Sequence, residues 1–535
     1  MRRLALVLVL LIARGAGFAQ QIVAMGDFTS NNTSASSAVN GISGSASSLG
    51  FGAVSKVPIS SLLAPGSNIP IYAHLMPWFG TSSHIDVGYD SAQSAQVARQ
   101  IADMASRGID GAVVYWTGAS GSTDAAHINA AALEIMKAAE QQQGFQFAIS
   151  EDKQALKACA AAGCDLTADL AADLQYVANT FFNSRAYMTV DGHPVLFFFG
   201  LEVYNNSIDW ATIRATVPGD PLFIFRNSVG FGYPDSDGAF SWVAIDKLNP
   251  NEIGLTYLDN FYQIAAEHSH ALSIGSTYPG FNDLLASWGT SRAINRNCGD
   301  TWLQTFNTAT QYPDDYSVLQ LVTWNDYEEG SQIEPGIDNC VAVQASATND
   351  TLAWTLTGQQ NTVHHLAVWA SLDNTGFLLA GELPASATSV ALASLGLNSG
   401  QYSFVVQAVG QPSMLNHISA PVTATVPAGA TPVIATLPAA ATSGGLTITT
   451  AVPPTATTTP SGSTKTATVP ATVSPGSSTA ASGGNGAPSF PIFIPAVIPS
   501  FAAEQNDSNV GDAQSQQQGA GATDADNAHQ KNPSE

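Results

Sequence analysis

Charge is scarce in this chain. Only 11% of its 535 residues are Asp, Glu, Lys or Arg, against roughly 25% in an average soluble domain. Basic residues are the scarcest: 17 Lys and Arg stand against 41 Asp and Glu, a formal net charge of −24. Such a chain is repelled by polyanions, which argues against nucleic acid and anionic lipid as partners. A neutral substrate such as a sugar polymer is compatible with that charge, and so is a role in solubility alone. Long apolar runs are also missing. The longest, Leu4 to Ile12, is too short to cross a bilayer. It follows Arg2 and Arg3 and precedes Gly17-Phe18-Ala19, the layout of a signal segment with a small-x-small cleavage site. Residues 1–19 are therefore expected to be an export signal, and the protein to be secreted, in the periplasm or at the cell surface. Phe490 to Phe501 is apolar but broken by Pro491, Pro495 and Pro499, so no transmembrane segment is expected. Cysteine is limited to Cys159, Cys164, Cys298 and Cys340, in spacings that match no Cys-rich zinc module. An even count in an exported chain predicts two disulfides, with three pairings open. A tight Cys159–Cys164 loop together with Cys298–Cys340 is the favoured one.

Gly, Ala, Ser and Thr fill the gap that charge leaves, and they divide the chain. Residues 20–66 are rich in Ser, Asn, Gly and Ala and are expected to be a flexible lead-in. From residue 68 to 341, short apolar runs alternate with helical stretches. The strand-like runs are Ile71–Leu75, Ala112–Trp116, Phe145–Ile149, Val195–Phe199, Leu222–Phe225, Phe240–Ala244, Leu272–Ser276 and Val318–Thr323. Between them, Ala92–Ser106 carries Val97, Ile101 and Met104 on one stripe, and Ala125–Gln141 and Ala168–Thr180 are patterned alike. Strands alternating with helices predict an α/β fold with a covered parallel sheet, and about eight such units fit a (β/α)8 TIM barrel. A doubly wound open sheet is the alternative, but no Gly-rich phosphate loop follows the first strand. Residues 342–427 change character, with short strands such as Leu366-Ala367-Val368-Trp369 and Tyr402-Ser403-Phe404-Val405-Val406 separated by turns. This is the spacing of a small β-sandwich, and it resembles fibronectin or Ig-like modules. Residues 428–535 are Thr, Pro, Ser and Gly, then Gln, Asp and Asn, a composition expected to stay disordered. The Thr-rich part reads as an O-glycosylated stalk.

The chemistry concentrates in Leu321 to Pro335, read LVTWNDYEEGSQIEP. An apolar strand ends there and a polar, acidic cluster follows, which in a barrel is the C-terminal mouth where active sites are built. Asp326 and Glu329 are three residues apart and would share a face on one helical turn. Two carboxylates on one side of a cleft are what glycoside hydrolysis requires: one protonates the leaving oxygen, the other removes a proton from the attacking group. Other roles compete. Glu328 can replace either partner, Glu334 can hold the loop by accepting hydrogen bonds, and a calcium site of Asp326, Glu328, Glu329 and carbonyls is conceivable. A solvated acidic turn is the plainest reading.

A resemblance decides between these. Trp324-Asn325-Asp326-Tyr327-x-Glu329 resembles the Trp-Asn-Asp-Tyr-Gly-Glu motif of glycoside hydrolase family 71, the fungal-type α-1,3-glucanases. Asn325 to Pro335 is similar to the Asn-Glu-Trp-x-Glu-Gly-Thr-Gln-Ile-Glu-Pro segment of family 99, the endo-α-mannosidases and endomannanases. Weaker matches are Tyr72-Ala73-His74-Leu75-Met76, Met76-Pro77-Trp78-Phe79-Gly80, Gly108-Ile109-Asp110-Gly111 followed by Tyr115-Trp116, His193-Pro194-Val195-Leu196 and Thr277 to Asp283. The resemblance covers about residues 70–340 and implies a (β/α)8 barrel. It implies Glu329 as general acid and Asp326 as base. In a family 71 inverting mechanism Asp326 would act on water; in a family 99 mechanism it would act on the substrate's own 2-hydroxyl. Glu328 stands where those motifs hold Gly or a variable residue.

Sugar contacts are expected from aromatic and polar side chains at strand ends. Trp78, Trp116, Tyr233 and Tyr278 offer faces for stacking on sugar rings, with core packing as the competing role; for Trp242 and Trp324 core packing is expected. His74, Tyr115, Asn325 and Glu334 complete the expected substrate-binding set, with Asp283 as a further lining residue. Arg292 and Arg296 are expected in structural salt bridges. The resulting expectation is an exported, monomeric hydrolase of α-glycosidic bonds in an α-glucan or α-mannan, with no cofactor and no catalytic metal. A barrel that binds sugar without turnover and a cell-surface scaffold are the competitors.

Overall fold

The computed structural model of the protein describes residues 54–428, apart from 121–123, 234, 245–252, 349 and 375. The expected signal segment 1–19, the lead-in up to residue 53 and the tail beyond 428 lie outside the described residues.

Eight strands form one closed parallel sheet: β1 (Ile71–Leu75), β2 (Gly111–Trp116), β3 (Gln146–Asp152), β4 (His193–Phe199), β5 (Leu222–Arg226), β6 (Gly238–Phe240), β7 (Leu272–Thr277) and β8 (Val318–Leu321). Each pairs with the next, and β8 returns to β1, so no edge is left open. The chain is therefore a (β/α)8 barrel. The helices on its outside are α1 (Ser94–Ser106), α2 (Ala125–Gln141), α3 (Lys157–Ala162), α4 (Leu166–Phe181), α5 (Trp210–Thr216), α6 (Leu255–Glu267) and α7 (Asp300–Ala309). Their starts and inner faces follow from sequence. Asp165 caps α4 by accepting the N–H groups of Thr167 and Ala168, filling donors that have no partner within the helix. Val97, Ile101 and Met104 of α1 are all buried, the i, i+4, i+7 stripe that a core-facing helix presents.

Two expectations need correction. The sixth strand is Gly238–Phe240, not Phe240–Ala244. A Cβ on Gly238 would lie 2.0 Å from the carbonyl oxygen of Leu272, so only glycine lets β6 approach β7 this closely. The apolar run continues past the ladder, where the Trp242 N–H finds the Tyr257 hydroxyl (2.8 Å) instead of a strand. The lead-in also ends earlier than residue 66. Ser55 donates its N–H to Met414 O and Ile59 donates to Arg107 O, and Val57, Ile59 and Leu63 are buried. Three apolar side chains scattered among serines suffice to dock the segment.

Residues 342–426 form two antiparallel sheets. One holds Ala342–Thr348, Thr351–Thr357 and Ser389–Ala391; the other holds Leu378–Pro384, Val363–Ser371, Gly400–Gly410 and His417–Ile418, with Val422–Val426 also paired to Gly400–Gly410. Leu352, Trp354, Leu366, Val368, Phe404 and Val406 pack between them. These sheets are fastened to the barrel. The Cys298–Cys340 disulfide lies at the junction, the Trp302 indole of α7 donates to Pro412 O (3.2 Å), and Met414 is buried in the barrel's own core. The second disulfide joins Cys159, within α3, to Cys164 just beyond it.

Candidate active site

The segment after β8 crosses the barrel mouth, and three side chains pin it there. Asn325 accepts the Met76 N–H (2.8 Å) and donates to Met76 O (2.9 Å), bridging the loops after β1 and β8. Arg107, 1% exposed, donates to Ile333 O and Glu334 O (2.8 and 2.7 Å) and lies over the Trp324 ring at 4.8 Å. Arg296 donates to Gly330 O and Gln332 O. Buried guanidinium groups carrying carbonyl partners hold a loop in one geometry, because withdrawing the partner strands a desolvated charge. These contacts use buried backbone acceptors that a loop at the protein surface would give to water.

Within this frame the four carboxylates of the segment have different surroundings. Glu334 accepts hydrogen bonds from the hydroxyls of Tyr89 and Tyr327 (2.9 Å each) and from the Gln100 amide (2.8 Å). Glu328 faces the His84 ring at 2.7 Å and accepts the Ile85 N–H. Asp326 and Glu329 lie on a turn, not on a helical turn: Asp326 Oδ1 accepts the N–H groups of Glu328 (3.1 Å) and Glu329 (2.8 Å), the side-chain turn typical of Asp. Glu329 Oε1 accepts the Trp288 indole N–H at 3.0 Å. Asp326 Oδ2 and Glu329 Oε2 remain for a ligand.

Burial pushes the Asp326 carboxyl well above the ordinary range; the Glu329 charge adds to the rise, while the backbone N–H of Glu329 works against it. Glu329 is raised as well, by burial first, with Asp283 and Glu328 adding to it and the Trp288 N–H and Arg292 opposing. Two raised carboxyls of like charge favour a state with one proton between them. The arrangement supplies one proton donor and one proton acceptor in a single cleft.

The expected substrate-binding residues divide between mouth and interior. Trp78 lies flat on His84 with ring centroids 4.6 Å apart and meets Tyr115 edge-on at 4.8 Å. The Tyr115 phenol is pushed well up by burial, with the charges of Asp152, Asp326, Asp124 and Glu151 adding to it. His74 points into the barrel beneath them, fully buried and edge-on to Trp242 at 4.7 Å. Burial pulls its pKa down to about 3, with the neighbouring Gln320 side chain opposing the fall, so the ring is neutral; the Gln320 contact falls short of hydrogen-bond geometry at either ring nitrogen. Tyr233, on the loop after β5, is half-buried against Phe225. Four others are corrected. Trp116 points outward from β2, stacks on Tyr176 of α4 and donates to Asn129. Strand alternation sends it to the helix layer while Tyr115 faces the mouth. Tyr278 is buried and donates to Ile253 O. Asn325 and Glu334 are taken by the bracing bonds above. Trp242 and Trp324 are buried, Asp283 is buried with Arg292 at 2.8 Å, and the guanidinium of Arg296 serves loop carbonyls instead of a salt bridge.

Several mouth residues escaped sequence reasoning. Asp152 is the last residue of β3, inward-facing, and burial pushes its carboxyl up to about 7. Arg226, the last residue of β5, pairs with Glu202 and lies over the Phe199 ring. His84 and Trp288 come from loops without strand or helix pattern. The strand-end positions of Asp152 and Arg226 were a readable signal; for His84 and Trp288 the sequence holds none.

The family model for glycosyl hydrolase family 71 matches residues 82–359. Among solved structures, the chain is similar to a family 99 endo-α-mannosidase from Bacteroides thetaiotaomicron in complex with bis-tris propane, at 19% identity and a TM-score of 0.40, covering 50% of this chain and 86% of that one. It is also similar to an endo-β-1,4-mannanase double mutant from Cellulomonas fimi, at 12% identity and a TM-score of 0.32, covering 69% of this chain and 96% of that one. No curated protein matches the chain.

Proposed function

The chain belongs to glycosyl hydrolase family 71, and from that premise we propose that this glycoside hydrolase cleaves α-glycosidic bonds in an α-1,3-glucan-type polysaccharide, with Glu329 as general acid and Asp326 as general base. One observation carries the assignment: of the four carboxylates after β8, Glu328 and Glu334 have both oxygens engaged by protein groups, whereas Asp326 and Glu329 each keep one. Glu329 gives its proton to the glycosidic oxygen as the bond to the anomeric carbon breaks. Asp326 takes a proton from the attacking water, whose oxygen forms the new bond; the products are two sugar ends and the pair is returned with its proton exchanged. The backbone N–H groups on Asp326 Oδ1 fix its orientation and favour its charged form, working against the burial and the Glu329 charge that raise its carboxyl. Trp78, Tyr115 and the neutral His74 would line the sugar site. Export is inferred from the first 19 residues. The sheets of residues 342–426 would support the barrel or bind the polymer.

The test is to incubate the full chain with α-1,3-glucan and α-mannan beside Glu329→Gln and Asp326→Asn. Reducing ends released from glucan by the native protein and lost in both variants support the proposal. Release from mannan alone would transfer the activity to the mannosidase class. Full activity in either variant would refute the pair, and sugar binding without release by a folded native protein would make the barrel a binding module.

A further inference from the structure

Trp288 is the one aromatic ring among the described residues that touches the proposed acid and is also substantially open, at 44% exposure. It stands on the loop after β7, between Phe281–Asn282 and Ala293–Ile294, two short segments paired antiparallel. The base of that loop is fixed. Asp283, fully buried, accepts the N–H groups of Thr290 and Arg292 (3.0 and 2.6 Å) and the Arg292 guanidinium (2.8 Å). A Cβ on Gly289 would lie 1.9 Å from Asp283 O, so glycine is required directly after Trp288 for the loop to close. The Asn282 N–H donates to Glu329 O (2.7 Å), joining the loop base to the backbone of the acid itself. The arm is thus rigid at its root, while its tip presents Leu284, Leu285 and Trp288 to solvent at 65%, 63% and 44%. Such a patch on a braced loop is an open apolar surface next to a buried carboxyl.

Resting on the assignment of Glu329 as acid, we propose that Trp288 positions the acid through its indole N–H and forms the wall of the leaving-group sugar site with its ring. The two roles follow from one contact. A general acid must reach the glycosidic oxygen at hydrogen-bond distance, and the indole nitrogen is 3.0 Å from that acid. A ring held there lies beside the sugar that departs, on the side of the bond the acid protonates. Its exposed face loses water when that sugar stacks on it, and Leu284 and Leu285 extend the surface to a further residue of a polymer. The ring is steadied from behind by Trp78 (5.9 Å) and His84 (6.1 Å), both edge-on. Of the groups facing Glu329, Asp283 and Glu328 raise its proton affinity, while Arg292 and the Trp288 N–H lower it; the Glu329 charge in turn raises the Asp326 carboxyl.

The test compares Trp288→Phe, Trp288→Ala and Glu329→Gln in the full chain on α-1,3-glucan. Phenylalanine keeps a ring but deletes the N–H, which favours the charged acid. The basic limb of the pH–activity profile should therefore move to higher pH, by about one unit, with KM little changed. Alanine should shift the same limb and also raise KM for the polymer about tenfold. An unshifted limb in both variants, with Glu329→Gln inactive and all proteins folded, overturns this role while leaving the acid assignment standing. A fully active Glu329→Gln removes the acid, and the role of Trp288 with it. A fall in folded yield without a shifted limb in the remaining enzyme would make Trp288 purely structural and equally overturn the proposal.

Discussion

Two barrel strands lead into clustered acidic residues, β3 at its own end and β8 in the segment after it, and the fates of those acids differ. After β8, each carboxylate of Asp326 to Glu334 has a donor: a backbone N–H, a tyrosine hydroxyl, an amide or an indole. At the end of β3, Glu151 and Asp152 are separated by strand alternation. Asp152 faces the mouth and accepts the Gln154 N–H (2.8 Å). Glu151 points out toward α4, fully buried, and neither oxygen has a hydrogen-bond partner. Burial pushes Glu151 well above the carboxylate range, and Asp173, Asp152 and Asp169 all add to the rise. Donors, not the density of acids, separate a site from a burden. The β8 loop is a scaffold that keeps two carboxylates available, whereas Glu151, its carboxyl raised by burial, sits in a layer that offers it no donor.

The comparison can be broken within the β8 loop first. Replacing Glu329 with Gln should reduce glucan hydrolysis by about 10²–10⁴-fold. Glu328→Gln, which loosens the hold on His84 and removes one charge that raises the pair, should cost less than roughly tenfold by the same scale. Reducing-end assays on both variants decide the matter, and equal losses would erase the distinction between the two neighbours. A smaller effect, on stability, is expected at the brace. Glu334→Gln turns an acceptor toward donors of its own kind and should cost about 1–3 kcal/mol in urea unfolding, whereas an unchanged midpoint would show that the tyrosine bonds contribute nothing.

The β3 end gives the smallest effect and the opposite sign. The folded pKa of Glu151 lies above its unfolded value of about 4.3. Its stability contribution is therefore complete below that pH and is lost as pH rises toward the folded value. Glu151→Gln should then melt higher than the native protein at neutral pH, by about 1–2 kcal/mol of stability, with the difference vanishing near pH 4. Thermal unfolding of both across pH 4–8 measures it. A native protein more stable than the variant at pH 7 would mean that Glu151 has found a charged partner.

Local pattern and tertiary contact contributed differently to what is known of this protein. Alternating apolar runs and helical stripes were enough for an eight-unit barrel, because burying each strand between core and helices forces that composition. The segment after β8 stood out as the candidate site because its motif resembles those of families 71 and 99; the acidic run alone fitted a solvated turn equally well. What stayed hidden depends on which way a side chain turns and what meets it there. Trp116 and Tyr115 are neighbours of equal promise, yet strand alternation sends one to α4 and the other to the mouth. Asn325 and Glu334 lie inside the motif, but their bonds reach back across more than 230 residues to Met76 and Tyr89. Trp288 belongs to a loop without periodicity, and only the closed barrel brings it within 3.0 Å of Glu329. Sequence by itself determined the family, the barrel and the acidic loop, since each is written in contiguous residues. The tertiary structure alone decided which carboxylates stay available, because that is set by donors arriving from β1, α1 and the β7 loop.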